Sequence, residues 1–248
     1  MIPRVMPVMV IYAGKCFHTI NFKLDQYLGD PVNIARLYGE MNTDELIIFD
    51  KSKKNSIYEN QKLKIICQEV FIPVAYGGNL KTLEDVDFAM KQGIEKVVIQ
   101  INDIFSKDLI QKVAKKYGNQ SVVTCVNYSS VDYFSADHKF MAKQTEIYDA
   151  VNLALELGSG EILIQDLGRA GTRNGFDFKL IAPVFRSTPI PVIYSGGAKG
   201  TSCLEEVILA GASAVAASTI FSLSSRTNTP LVSYLNSNDK KIIENLTS

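Results

Sequence analysis

The sequence predicts a (β/α)8 TIM barrel, the α/β fold in which eight parallel strands alternate with helices around one closed sheet. Apolar, β-branched runs alternate with amphipathic helical stretches from end to end. The runs are apolar throughout, as in parallel strands covered on both faces, and the second half of the chain repeats the first. The length of 248 residues suits a single barrel.

The elements follow in chain order. The predicted strands are residues 4–12, 45–50, 71–76, 95–101, 120–127, 161–166, 190–194 and 213–218. Between them, apolar residues recur three and four apart and predict seven helices, as in PVNIARLYGEM, TLEDVDFAMKQG and TEIYDAVNLALELG. The segment TPLVSYLNSNDKKIIENL completes the eighth unit of the pattern.

An internal repeat favours a closed barrel over an open sheet. The segments FIPVAYGGNLK and PIPVIYSGGAK superpose with Tyr76 on Tyr194, 118 residues apart (194 − 76), and Gly93 and Gly211 share this spacing. Because this is close to half the chain, the sequence predicts two duplicated half-barrels of four strands each. No linker-like segment separates the halves, so we expect one domain over residues 1–248.

Composition excludes several classes of function. The 26 basic and 26 acidic residues leave no net charge to attract nucleic acid. The longest apolar runs are far shorter than the ~20 residues that a bilayer requires, and the N-terminus lacks a signal pattern. We therefore expect a cytoplasmic protein without a nucleic-acid or membrane partner. Four cysteines stand singly and only two histidines occur, so neither a metal site nor a cofactor is predicted.

Glycines follow the strand in both copies of the repeat, in YGGNLKTLED and YSGGAKGTSCLEE. Glycines let backbone N–H groups approach an anion, and the next helix N-terminus favours negative charge. Each turn is therefore a candidate phosphate site, although the glycines could instead serve only the tight turn. The first half has Asn79 and Ile101 where the second has Gly197 and Thr219, so the second site is expected to bind better. The candidate residues are Gly77, Gly78, Gly171, Ser195, Gly196, Gly197, Ser218 and Thr219.

Several segments together carry a family resemblance. RVMPVMVIYAGKCFHTINF, GDPVNIARLYGEMNTDELIIFD, FIPVAYGGNLKTLED, GSGEILIQDLGRAGTRNGFD and IPVIYSGGAKG, in this order and spacing, resemble the HisF cyclase subunit of imidazole glycerol phosphate synthase. That resemblance implies a barrel that receives ammonia from a glutaminase subunit (HisH-like) docked under its N-terminal face. It also implies that an imidazole ring is closed at the top of the barrel.

The chain departs from that family where the catalysis takes place. The resemblance places the two catalytic aspartates of the family at Val10 and Asn127. A family lysine corresponds to His18, and Gly168 and Ala170 replace acids in the loop after the sixth strand. Neither valine nor asparagine transfers protons near neutral pH. The sequence therefore predicts that the parent cyclase activity is absent.

The bottom of the barrel matches the family. The four charged residues with which the family gates ammonia correspond to Arg4, Glu45, Lys96 and Glu161. The alternative is a ring of salt bridges that only closes the barrel. Retention of the gate beside loss of the catalytic acids predicts an ammonia conduit. The resemblance implies transfer to an acetamido sugar in surface polysaccharide biosynthesis, with an ATP-dependent sugar amidotransferase as a further partner.

Two other functions stay open from the sequence. An active cyclase-type lyase would use His18 as acid and Asp50 or Asp166 as base, although Asp50 also fits a structural hydrogen-bond acceptor. An interaction scaffold would bind a phosphorylated sugar, or nothing, at an aromatic mouth. That mouth would be formed by Tyr12, Tyr76, Tyr128 and Tyr194.

Overall fold

A computed structural model describes residues 2–52, 61–101, 104–131, 141–143, 146–179 and 181–246. Eight of the strands in these ranges form a closed parallel barrel, because the first barrel strand pairs with the last. The strands are β1 (Arg4–Tyr12), β2 (Lys15–Ile20), β3 (Lys23–Gly29), β4 (Leu46–Asp50), β5 (Val74–Gly77), β6 (Lys96–Gln100), β7 (Val122–Tyr128), β8 (Glu161–Asp166), β9 (Val192–Ser195) and β10 (Ala214–Ala217). The predicted fold class is confirmed, and each predicted strand lies within three residues of an observed one.

Helices connect the barrel strands on the outside. They are α1 (Pro31–Glu40), α2 (Gln61–Glu69), α3 (Leu83–Lys91), α4 (Ile104–Tyr117), α5 (Ile147–Glu156), α6 (Ala182–Ser187), α7 (Thr201–Leu209), α8 (Thr219–Ser222) and α9 (Ser237–Asn245). Local signals set their starts: Asp30 caps α1 ahead of a proline, and Thr82 and Asp85 form a capping box on α3. No helix in the described ranges is long and apolar enough to cross a membrane.

Alternation along each barrel strand divides the core into two layers. One layer fills the lumen with the side chains of Met6, Val8, Ile47, Ala75, Val98, Val123, Cys125, Leu163, Ile193, Ala214 and Ala216. The other lies between strands and helices and includes Tyr76, Tyr128 and Tyr194, each with 0% exposure. The expected aromatic mouth is therefore wrong for these three tyrosines, which point away from the lumen into the outer core.

A two-stranded antiparallel hairpin, β2–β3, extends the sheet from the end of β1 and was not predicted. Its turn is Asn21–Phe22, with φ of 51° and 61°. Asn21 donates from its backbone N–H to the Ala170 carbonyl (2.7 Å) and from its side chain to the Gly168 carbonyl (2.6 Å). Phe22 is buried beside Leu167. These contacts fold the hairpin over the mouth of the barrel, against the loop that follows β8.

Candidate functional site

The C-terminal mouth of the lumen contains a pocket of about 660 Å³ and a smaller one of about 30 Å³. Val10 lines the smaller pocket, Asn127 lines the larger, and Gln165 lines both. These three side chains come from β1, β7 and β8 and have no proton to transfer near neutral pH. The two positions matched to the catalytic aspartates thus lie at the mouth, where they can exclude water or form hydrogen bonds but not act as acid or base.

Cys125 fixes the orientation of the amide of Asn127. Its Sγ donates to Asn127 Oδ1 (3.3 Å), and Gln165 Oε1 lies 4.0 Å from the same sulfur. Burial raises the pKa of Cys125 to about 12, so the thiol keeps its proton and stays a donor. The part of the mouth formed by Cys125, Asn127 and Gln165 is therefore neutral and hydrogen-bonding.

The two candidate bases of the alternative lyase, Asp50 and Asp166, are engaged in structural hydrogen bonds. Asp50 lines the larger pocket but accepts from Ser52 N–H (2.8 Å) and from the Tyr76 hydroxyl (3.2 Å). Asp166 is fully buried and accepts from the Ser130 hydroxyl (2.5 Å). Burial raises the pKa of Asp166, and hydrogen bonds from Ser130 and Arg169 oppose the shift. Since Asp166 lines neither pocket, it is poorly placed to act as a base on a ligand there.

His18 joins the hairpin to the barrel. It is 2% exposed, its Nδ1 lies 2.8 Å from Asp25 Oδ2, and its Nε2 lies 3.0 Å from Thr219 Oγ1. Sequence reasoning missed Asp25, because the hairpin that brings it to His18 was itself missed. The expected acid of the alternative lyase is thus enclosed between a carboxylate and a hydroxyl.

The candidate phosphate residues of the second half lie close together. All six of its candidate residues line the smaller pocket: Gly171, Ser195, Gly196, Gly197, Ser218 and Thr219. The Ser218 hydroxyl oxygen is buried and has no hydrogen-bond partner within the described part of the chain. The pocket thus holds an unused donor beside two glycines.

Close contact with the preceding barrel strand explains why one position in each half is a glycine. A Cβ on Gly78 would lie 2.4 Å from the Asp50 carbonyl oxygen, and one on Gly196 would lie 2.3 Å from the Asp166 carbonyl oxygen. These two glycines are equivalent in the repeat, and each lies against the strand before it. Their presence therefore has a structural cause that holds whether or not an anion binds.

The first-half turn opens onto the larger pocket. Gly77 and Gly78 line it together with Asn79, Lys51 and Lys81. The Asn79 side chain donates to the Ser52 carbonyl, and Lys51 donates to the Phe22 carbonyl at the hairpin tip. The two lysines were not predicted as site residues, although each follows a strand end or a glycine turn in the sequence.

Four charged side chains form a closed ring at the opposite, N-terminal end of the lumen. Arg4 contacts Glu45 (2.6 Å) and Glu161 (3.1 Å), and Lys96 contacts the same two carboxylates at 2.9 and 3.0 Å. Burial raises the pKa of Glu45, while Lys96 and Arg4 oppose that shift. Glu45 Oε1 and Glu161 Oε2 are buried without a hydrogen-bond partner in the described residues. Each cation thus bridges both acids, and the four predicted gate residues lie together across the lumen.

The fold is a (β/α)8 barrel, and its pockets lie at the carboxyl ends of the strands, where barrels of this class carry their sites. Residues 4–226 match the family described as histidine biosynthesis protein, and the chain belongs to this family. It is 35% identical to the imidazole glycerol phosphate synthase subunit HisF of Nocardioides sp., over 88% of this chain and 90% of that one. The HisF subunits of Corynebacterium glutamicum (34%) and Streptomyces coelicolor (33%) align over 88% of this chain and 89% of theirs. The predicted HisF likeness is confirmed.

Proposed function

We propose that this HisF-like chain is the barrel subunit of a glutamine amidotransferase system. It conducts ammonia from a glutaminase partner towards amidation of a sugar acceptor and lacks the parent cyclase activity. The observation that carries the proposal is the closed ring of Arg4, Glu45, Lys96 and Glu161 below a mouth whose catalytic positions hold Val10 and Asn127.

The energetics of the ring support a functional reason for keeping it. Taking charges out of water costs several kcal/mol per ion, and apolar side chains of similar volume often replace buried ion pairs without loss of stability. A barrel end that served stability alone could therefore be packed with aliphatic residues. A ring of paired charges on long side chains could open for a small neutral molecule and close again, which close apolar packing does not allow.

The lumen above the ring suits neutral ammonia. Its side chains are almost entirely aliphatic, from Met6 and Ile47 up to Val8 and Val98. A dry passage keeps ammonia from bulk water and from protonation. At the upper end Asn127 can hydrogen-bond ammonia, whereas a carboxyl group could bind it as ammonium. The substitution that removes cyclase chemistry therefore favours release of the neutral molecule.

Two exposed apolar side chains precede barrel strands at the N-terminal end, where the glutaminase would dock. Ile2 is 71% exposed just before β1, and Phe71 is 97% exposed just before β5. A solvated phenylalanine at the entrance to a barrel is the kind of aromatic anchor that carries binding energy at protein interfaces. The names of the HisF relatives describe those proteins as subunits, in agreement with a partner for this chain.

Replacement of Phe71 tests this docking face. Phe71→Ala is expected to weaken binding to the cognate glutaminase by about tenfold or more, or about 1.4 kcal/mol, because an interface anchor is lost. Calorimetry with the two purified proteins measures the affinity. The matched control is Tyr27→Ala, which removes a 53% exposed aromatic residue from the hairpin at the other end of the barrel. Failure of the unaltered proteins to associate at micromolar concentration would reject this docking proposal.

We further propose that the second-half turn binds a phosphate group of a ligand more strongly than the first-half turn does. Crystals grown in sulfate or phosphate are expected to show an anion near Ser195, Gly197 and Thr219, because hydroxyl and glycine N–H donors converge there. The first-half turn supplies fewer donors, since Asn79 is bonded to Ser52. An anion found only at Gly77 and Gly78 would reverse the assignment.

A further inference from the structure

A chain of hydrogen bonds runs from the exposed Asp25 through the buried His18 to Thr219 beside the second-half pocket. Asp25 and His18 lie on the hairpin, whereas Thr219 begins α8 and lines the pocket. The contact thus links a titratable side chain on the hairpin to a hydroxyl group that faces the proposed anion.

The partners of His18 determine which of its ring nitrogens carries the hydrogen. An ionised carboxylate only accepts, so His18 Nδ1 carries a hydrogen and donates to Asp25. In a neutral ring Nε2 then has a lone pair and accepts the Thr219 hydroxyl hydrogen. A threonine hydroxyl has a single hydrogen. In this state Thr219 therefore cannot donate to an anion in the pocket.

Protonation of His18 reverses the second hydrogen bond. Nε2–H then donates to Thr219 Oγ1, and the hydroxyl hydrogen is free to turn into the pocket beside the unpartnered Ser218 hydroxyl. The other charges at this contact are the Asp25 carboxylate on β3 and the Arg173 guanidinium. Arg173, in the loop after β8, donates to the Thr219 carbonyl at 3.3 Å. A cationic His18 thus adds a donor and a positive charge next to the site.

The position of the hairpin also bears on whether His18 carries a second proton. The smaller pocket, about 30 Å³, has room for roughly two waters. A tetrahedral oxyanion needs more space. The hairpin closes the pocket where Thr19 lies against Gly171, whose added Cβ would lie 1.9 Å from the Thr19 carbonyl oxygen, and the proposal includes a lift of the hairpin there. An oxyanion that then meets His18 directly needs a hydrogen on Nε2, because two lone pairs repel each other. Protonation of His18 therefore favours the anion in both arrangements.

We propose that the second-half pocket binds doubly charged oxyanions, such as a phosphate monoester, together with one proton taken up by His18. This proposal rests on the anion site proposed above and adds its regulation by pH. If binding takes up one proton, affinity falls by up to about tenfold for each unit by which the pH rises.

Sulfate is the appropriate probe, because unlike phosphate, whose second pKa is near 6, it keeps its charge over the pH range of the test. Calorimetric titrations at pH 6.5, 7.5 and 8.5, at constant ionic strength, are expected to give affinities that fall with pH. The same titrations in two buffers of different ionisation enthalpy should show that sulfate binding takes up as much as one proton. His18→Gln is expected to bind sulfate weakly and independently of pH. Thr219→Ser should retain the pH dependence, and Thr219→Val should weaken binding.

Nuclear magnetic resonance of the unaltered protein tests the same point without a variant in the pocket. The chain has only two histidines, so His138→Gln identifies the His18 ring signal. Sulfate added at pH 7.5 is expected to move that signal towards its protonated position. Sulfate binding of equal strength at all three pH values, without proton uptake, would overturn the coupling and leave the anion site intact. No sulfate binding at any pH would overturn both.

Discussion

The purified barrel is expected to form no measurable imidazole product from ammonium salts and the nucleotide substrate of the HisF cyclases. Val10 and Asn127 occupy the mouth of the lumen where the family resemblance places the acid and the base. Loss of either group should cost about 100-fold or more, so together they should lower turnover by about 10⁴-fold. Product formation followed by absorbance or mass spectrometry, beside an authentic HisF, measures the effect.

A double variant serves as the matched control for this expectation. Val10→Asp with Asn127→Asp restores both carboxyl groups, and should raise turnover above that of the unaltered protein if their loss is the main barrier. The carboxyl group introduced in place of the Val10 side chain would be buried, so the melting temperature must be measured to show that the variant folds. Turnover of the unaltered protein within about tenfold of an authentic cyclase would contradict the proposal and favour the lyase alternative.

The barrel could be predicted because apolar strand runs and the internal repeat are strong, repeated signals. The charged ring was predicted from the family resemblance. In the structure, the first residue of β1 and that of β8 lie on the lumen face, and Arg4 meets Glu161 near the bottom of the barrel. The alternation of side chains along a strand could have corrected the prediction of an aromatic mouth. Tyr128 directly follows Asn127, so if one points into the lumen, the other points to the helices.

The hairpin could not be predicted because its turn lacks the usual sequence. Two-residue hairpin turns with positive φ at both positions favour Asn-Gly or Asp-Gly, and here the second residue is Phe22. A left-handed conformation costs a bulky residue about 1–2 kcal/mol. Contacts with the rest of the fold compensate, since Phe22 packs edge-on against Phe49 at 5.7 Å and is buried beside Leu167. Such contacts exist only after folding, and the pairing of Asp25 with His18 depends on them.

The charged ring carries the largest expected effect on nitrogen transfer. Lys96→Ala leaves Glu45 and Glu161 sharing Arg4 and opens a gap across the lumen. We expect the glutaminase complex to survive, while ammonia escapes and glutamine hydrolysis becomes uncoupled from amidation. Loss of one partner from a buried ion pair also costs about 3–5 kcal/mol, so the melting temperature should fall. Stability alone therefore cannot tell a conduit from a structural ring.

Isotope labelling separates the two functions. In the complete system with its glutaminase and amidotransferase, amide-¹⁵N glutamine is supplied together with excess unlabelled ammonium. A sealed passage should give product that is almost entirely ¹⁵N, and Lys96→Ala should give largely unlabelled product. Lys96→Met is the matched control, because it fills the gap with a side chain of similar length and no charge. If product remains fully labelled after changes at Arg4, Glu45, Lys96 and Glu161 alike, the ring only closes the barrel and the conduit proposal is wrong.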